Sequence, residues 1–264
     1  MYLVDTHAHL YLAQFDEDRE AMVDRACSAG VARVLLPNID LASIGPMLQL
    51  CDARPELFFP MMGLHPCDVR AGYAEVLAHM KSLLGQRRFV AIGETGIDLY
   101  WDKTTLSMQV QAFREQVRWA INYSLPLVIH ARESFDELFA VLDEENGPGL
   151  RGVFHCFTGT RAQAEKILGY GGFMMGLGGV LTYPKAALDR VVADLPRESI
   201  LLETDAPFLP PVPHRGKRNE SAWVAQVALR LSDIWQVSVQ EAGRITAENA
   251  FRMFFPDEHL PLSQ

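Results

Sequence analysis

Cysteine is scarce in this chain: four residues in 264, Cys27, Cys51, Cys67 and Cys156, with no CxxC pair among them. That excludes a disulfide framework and points to reduced thiols. Long apolar runs are also missing. No stretch approaches roughly 18 uninterrupted apolar residues, so no membrane span is expected. The opening Met1-Tyr2-Leu3-Val4-Asp5 has no basic leader and no extended apolar segment, and reads as a strand rather than a signal peptide. A cytoplasmic protein is the expectation. Positive charge is in short supply as well, with 24 Lys and Arg against 33 Asp and Glu and a formal charge of −9. Such a balance disfavours coating of nucleic acid by the overall field, so a phosphate-bearing substrate must meet local cations. Low-complexity blocks, internal repeats and Ser/Gly linkers are absent too. The chain is therefore expected to be one domain over residues 1–264, with a short tail fraying from about residue 256.

What is present is an alternation of strand and helix signals. Eight short β-branched or apolar runs recur: Tyr2–Thr6, Arg33–Leu36, Phe58–Gly63, Phe89–Gly93, Leu127–Ile129, Gly152–Phe154, Phe173–Gly176 and Ile200–Leu202. Their apolar residues run on without strict alternation, as in parallel strands covered on both faces. Between them lie helical stripes. Leu106, Val110, Phe113, Val117 and Ala120 fall on one helix face, and Phe135, Leu138, Phe139 and Leu142 on the next. Trp223, Val224, Val227, Leu231 and Ile234 form another, followed by a helix around Val239–Phe254. The Pro-rich run Pro207–Pro213 is a loop, since proline lacks the amide proton that ladders need. The pattern predicts the α/β class as a single (β/α)₈ TIM barrel, whose active site lies at the C-terminal ends of the strands.

The histidines support that placement. His7 and His9 stand two apart at the end of the first strand, where alternation turns both side chains to one side. Later strands end in Glu94, His130, His155 and Asp205, and His65 follows the third. Only His79, His214 and His259 of the eight histidines lie away from strand ends. Imidazoles mixed with carboxylates suit Zn²⁺, Mn²⁺, Ni²⁺ or Co²⁺, while carboxylate-rich shells favour Mg²⁺; the identity stays open. His7, His9, Glu94, His130, His155 and Asp205 exceed what one open catalytic ion requires, and Glu94 can bridge. Two divalent metal ions are therefore expected.

Six ordered motifs then carry a resemblance. Val4-Asp5-Thr6-His7-Ala8-His9, Gly63-Leu64-His65-Pro66, Gly93-Glu94-Thr95-Gly96-Ile97-Asp98, Ile129-His130-Ala131-Arg132, His155-Cys156-Phe157-Thr158-Gly159 and Leu202-Glu203-Thr204-Asp205-Ala206-Pro207 closely resemble the TatD family of metal-dependent deoxyribonucleases, within the amidohydrolase superfamily. The resemblance runs from about Leu3 to Phe255. It implies that His7, His9, Glu94 and Asp205 hold one ion, and Glu94, His130 and His155 the other. It also implies removal of nucleotides from the 3′ end of DNA, with a place in DNA repair or in DNA degradation during cell death.

Phosphodiester hydrolysis agrees with the residues themselves. Divalent ions supply an activated water and offset charge growing on the phosphoryl and departing oxygens. Asp205 is the candidate general base, alongside a purely ligating role, and Glu94 the bridging carboxylate. Glu203, two residues earlier, orients a ligand or binds metal through water, or is a buried strand carboxylate. His65 faces the substrate phosphate. Arg132 clamps a phosphate, unless Glu133 or Asp136 takes it in a salt bridge. Arg215, Lys217 and Arg218 belong to the densest basic segment, similar to the family's R-G-K-R-N-E-P stretch, with Ser221 in place of the final proline. Tyr100, Trp101, Phe157 and Phe208 are candidate base-stacking residues on mouth loops. A monomer acting on single-stranded or frayed 3′ ends is the first reading. The alternatives are a small-molecule amide, lactone or phosphate-ester hydrolase and a non-catalytic scaffold that keeps metal for stability. Many amidohydrolases bridge their metals with a carboxylated lysine on strand four, where this chain has Glu94, and that weakens the second reading.

Overall fold

The computed structural model describes residues 1–260. Eight strands alternate with helices: β1 (Leu3–Asp5), α1 (Arg19–Ser28), β2 (Val31–Pro37), α2 (Leu41–Ala53), β3 (Phe58–Met62), α3 (Tyr73–Leu84), β4 (Ala91–Asp98), α4 (Leu106–Tyr123), β5 (Leu127–Arg132), α5 (Phe135–Glu145), β6 (Gly152–Phe154), α6 (Arg161–Gly169), β7 (Phe173–Leu177), α7 (Leu188–Ala193), β8 (Ile200–Leu202), α8 (Val224–Trp235) and α9 (Val239–Phe254). The strands form one parallel sheet in sequence order. The ends of the sheet meet: Thr6 donates its amide to the Leu202 carbonyl at 3.0 Å and His9 to that of Ala206 at 2.7 Å, and Ala8 pairs in parallel with Ala206. The fold is a (β/α)₈ TIM barrel, as the alternation predicts.

Both faces of the sheet are covered, which explains the unbroken apolar runs. Val4, Leu35, Met61, Ala91, Val128, Val153, Met174 and Leu201, one from each strand, pack together with Ala250, Phe251 and Phe254 of α9. That helix stops the N-terminal mouth, while the stripes of α4, α5 and α8 cover the outside with buried Phe113, Val117, Leu138, Leu142, Val227 and Leu231. Beneath the barrel the Arg33 guanidinium lies 4.1 Å from the Phe255 ring and 4.4 Å from that of Phe251, and pairs with Glu258 at 2.6 Å. The expected fraying from about residue 256 falls partly on 261–264, outside the described residues; Leu260 packs against this lower cluster. No helix among the described residues is long and apolar enough to cross a membrane.

The structure differs from the expected strand limits chiefly at β4, which continues past Gly93 to Asp98. Ile92 pairs with Leu127 and Thr95 with Ile129, so β4 carries one extra residue, a bulge containing Gly93 and Glu94. Gly93 (φ +135°) and Gly96 (φ +142°) adopt backbone that favours glycine, and a Cβ on either would strike the carbonyl of Val128 or His130. Glycine is here a condition of the strand, not its end. Two buried glutamines of α4 hold the segment from outside. Gln116 donates to Thr95 Oγ1 at 2.6 Å, and Gln109 accepts from the Asp98 amide at 2.8 Å.

Candidate metal centre

The C-terminal ends of the strands bring the candidate ligands to one point. Glu94, aimed by the β4 bulge, is its middle. One oxygen, Oε2, lies 3.1 Å from His7 Nε2 and 3.5 Å from His9 Nε2. The other, Oε1, lies 2.7 Å from His155 Nε2, 2.8 Å from His130 Nδ1 and 3.3 Å from His65 Nε2. Asp205 Oδ1 comes from the opposite side, 3.6 Å from His9 Nε2 and 4.0 Å from His7 Nε2. Three groups are compact enough to hold an ion: His7, His9 and Glu94; His65, Glu94 and His130; and His7, His155 and Glu203. The first two share Glu94 and use its different oxygens.

The far nitrogen of each ring decides whether the near one offers a lone pair. Tyr11 donates its hydroxyl to the Pro37 carbonyl at 2.7 Å, so toward His9 Nδ1, 3.1 Å away, it can only accept. The His9 proton is thereby fixed on Nδ1, and Nε2 faces Glu94 with a lone pair. Asp98 does the same for His130, with Oδ2 2.9 Å from Nε2. Asp98 itself accepts from the amides of Tyr100 and Trp101. Although burial alone would raise it, the His130 ring and these amides hold its carboxyl down at about 2. Glu203 sits 3.6 Å from His155 Nδ1, beyond hydrogen-bonding reach, and accepts from the Cys156 amide. Neither Asp98 nor Tyr11 was assigned a role by sequence reasoning. Asp98 closes the Gly-Glu-Thr-Gly-Ile-Asp motif, which is the signal that could have found it.

Charge in the pocket leans toward a cation. Burial raises the cost of ionising Glu94, yet His155, His65 and His7 hold it well below the usual carboxylate range. Burial likewise opposes protonation of His155 and His130, but Glu94 and Glu203 lift the first and Asp98 and Glu94 the second above the ordinary histidine value. His7, stacked on His155 at 4.0 Å, is instead pushed down by burial and by that neighbour. An anion ringed by imidazole nitrogens is a donor set that fits divalent cations.

Above these residues opens a cavity of about 710 Å³, lined by His9, His65, Glu94, Asp98, His130, His155 and Asp205 below and by Trp101, Arg132, Cys156, Phe208 and Leu209 toward solvent. Arg132 forms no ion pair with Glu133 or Asp136; its guanidinium lies 3.8 Å from the Tyr100 ring. Tyr100, Trp101 and Phe208 are exposed at the rim, but Phe157, also expected there, is buried against Phe135. Glu203, expected among the substrate-facing residues, has no exposed surface and lies behind His155. The basic loop stays out of the cavity lining. Arg215 stacks on Tyr183 at 4.0 Å, Lys217 is exposed, and Arg218 pairs with Asp18 at 2.7 Å. Ser221, in place of the family's proline, is buried and donates to Asp5 Oδ2 at 2.5 Å, tying this loop to the first strand.

A TIM barrel with an imidazole and carboxylate cluster at its C-terminal mouth defines a metal-dependent hydrolase. The family described as TatD related DNase matches residues 4–255, and the chain belongs to it. It is 36% identical over 253 residues to the uncharacterized metal-dependent hydrolase YabD of Bacillus subtilis, covering 96% of this chain and 98% of that one. It is 31% identical over 260 residues to the 3′-5′ ssDNA/RNA exonuclease TatD of Cronobacter sakazakii, covering 96% and 97%. The crystal structure of YjjV, a TatD homolog from Escherichia coli, superposes with a TM-score of 0.89 at 32% identity, covering 96% of this chain and 97% of YjjV.

Proposed function

We propose that the protein is a deoxyribonuclease that removes nucleotides from the 3′ end of single-stranded or frayed DNA, as a monomer in the cytoplasm. One observation carries the reading: Arg132, a guanidinium stacked on Tyr100 and without a carboxylate partner among the described residues, lines the same cavity as a buried donor cluster for divalent ions. A guanidinium so placed binds phosphate at the edge of the site, and stacking holds its plane ready for two hydrogen bonds. The exposed rings of Trp101 and Phe208 suit unpaired bases, which stack without regard to sequence. The relative in Cronobacter carries a matching activity in its name.

In this reading His7, His9, Glu94 and Asp205 hold one ion and Glu94, His130 and His155 the other. Bound there, the ions would supply an activated water and offset charge on the phosphoryl oxygens. Asp205, 14% exposed at its side chain against 4% for Glu94, is the carboxylate that water reaches, and takes the proton of the attacking water on its Oδ. Glu203 acts through the Cys156 amide, whose hydrogen bond it accepts, and so holds the backbone next to His155. Labelled oligonucleotides incubated with Mg²⁺, Mn²⁺, Co²⁺ or Zn²⁺ test the proposal: stepwise shortening from the 3′ end is expected, and no cleavage with any of the four overturns it. The cavity volume also suits a small ester. Efficient turnover of amides, lactones or phosphate monoesters with intact DNA favours that second reading.

A further inference from the structure

We propose that His65 stands outside the ion ligand set and donates its Nε2–H to an oxygen of the bound substrate. The assignment rests on the two-ion phosphodiesterase reading of the cavity. By distance alone His65 belongs with Glu94 and His130 as a cation triad. The direction of its hydrogen bonds argues otherwise. His65 is the N-cap of a short 3₁₀ turn, Pro66–Asp68, and its Nδ1 accepts the Cys67 amide at 3.1 Å. Pro66 has no amide proton, so Cys67 supplies the first free donor of the turn, and the imidazole takes it.

A nitrogen that accepts carries no hydrogen, and the ring proton therefore sits on Nε2. Nε2 is the atom that points into the cavity, 3.3 Å from Glu94 Oε1. This polarity is the reverse of that in His9 and His130. In those rings the outer nitrogen donates, to Tyr11 and Asp98, and the inner one offers its lone pair. His65 offers the cavity a hydrogen, which no cation can use.

The remaining polar atoms of His65 are committed. Its amide donates to the Ile39 carbonyl at 2.9 Å, and its own carbonyl accepts from Asp68 at 2.9 Å. The ring is braced edge-on against His130, with centroids 4.8 Å apart. With Glu94 turned to ions, Nε2–H is a fixed donor without a partner, next to the place where negative charge gathers on a phosphoryl oxygen. The proton stays on Nε2 throughout, and the contribution is a preorganised hydrogen bond rather than acid catalysis.

Three measurements on the ion-loaded protein test the assignment. Nitrogen-15 spectra of histidine-labelled, Mg²⁺-loaded protein are expected to place the His65 proton on Nε2. Metal analysis is expected to find the same ion content in His65→Ala as in wild type, with less in His130→Ala. Inorganic phosphate is expected to bind His65→Ala about ten- to hundredfold more weakly, with part of the affinity restored in His65→Gln, whose amide also donates. A proton on Nδ1, an ion lost from both His65 variants, or unchanged phosphate affinity overturns it. If wild type leaves DNA intact while all three results hold, the nuclease reading falls and the His65 assignment stands.

Discussion

A carboxylate behind a histidine ring can decide which of its nitrogens faces the cavity. Asp98 fixes the proton of His130 on Nε2 and leaves Nδ1 free toward Glu94. Asp98→Asn offers that nitrogen an amide that donates or accepts with equal ease, so the selection is lost. Divalent-ion affinity is expected to drop about 10–100-fold, read by isothermal titration; unchanged affinity removes Asp98 from the account. Asp205→Asn is expected to fold like wild type and to lower kcat at least about a hundredfold, and undiminished cleavage of oligonucleotides by that variant rules out the base assignment. At this scale the sequence was readable wherever residue type alone carries meaning. Histidine and glutamate at strand ends stand out in the chain. Asp98, Tyr11 and the reversed polarity of His65 do not, because each depends on which nitrogen faces which neighbour.

At the scale of the element, β4 turns a pattern of glycines into an aimed side chain. Its extra residue and its two glycines let the strand pass close to β5 while Glu94 turns inward. Gly96→Ala sets a methyl group against the His130 carbonyl, and is expected to cost about 2–5 kcal/mol in a denaturant melt and to weaken ion binding. A variant as stable as wild type contradicts the packing described. Glycine usually punctuates, so the expected strand ended at Gly93, five residues early. The helix stripes were legible because burial repeats with helical period. Gln109 and Gln116 were not, since a polar residue in a helix gives no sign of being buried.

The loop after β8 shows the same limit. Its basic residues signal phosphate, yet Arg218 is spent on Asp18 at the start of α1. First Arg218 and then Arg25 hold Asp18 at about 2, below the ordinary 3.8. A carboxyl depressed in the folded state stabilises it fully above its unfolded value, and that contribution fades as pH falls from about 4 toward 2. Arg218→Ala is expected to flatten this part of the stability-against-pH curve by only a small amount, because the pair is partly exposed. Acid melts of the two proteins that superpose over that window argue against the tie.

For the whole molecule, alternation of strand and helix gave a parallel sheet covered on both faces, and eight such units in a chain of this length suit its closure into a barrel. The α9 stopper was readable as a helix but not as a plug, because its partners come one from each strand. Ion binding draws on the entire circle. An ion at a hundred times its dissociation constant stabilises the native state by about 2.7 kcal/mol, or roughly 5–10 °C for a chain of this size. Scanning calorimetry with Mn²⁺ and then with excess chelator is expected to show that rise and its reversal. A melting temperature indifferent to both rejects a bound ion.

The meeting of Thr6, Ala8 and His9 with Leu202 and Ala206 has one further consequence. His7 and His9 follow the first strand, whereas Asp205 and the Ser221 that grips Asp5 come some two hundred residues later. Asp205 therefore joins the histidines of the first strand only when the two ends of the sheet meet. The full set of donors around Glu94 belongs to the closed barrel alone.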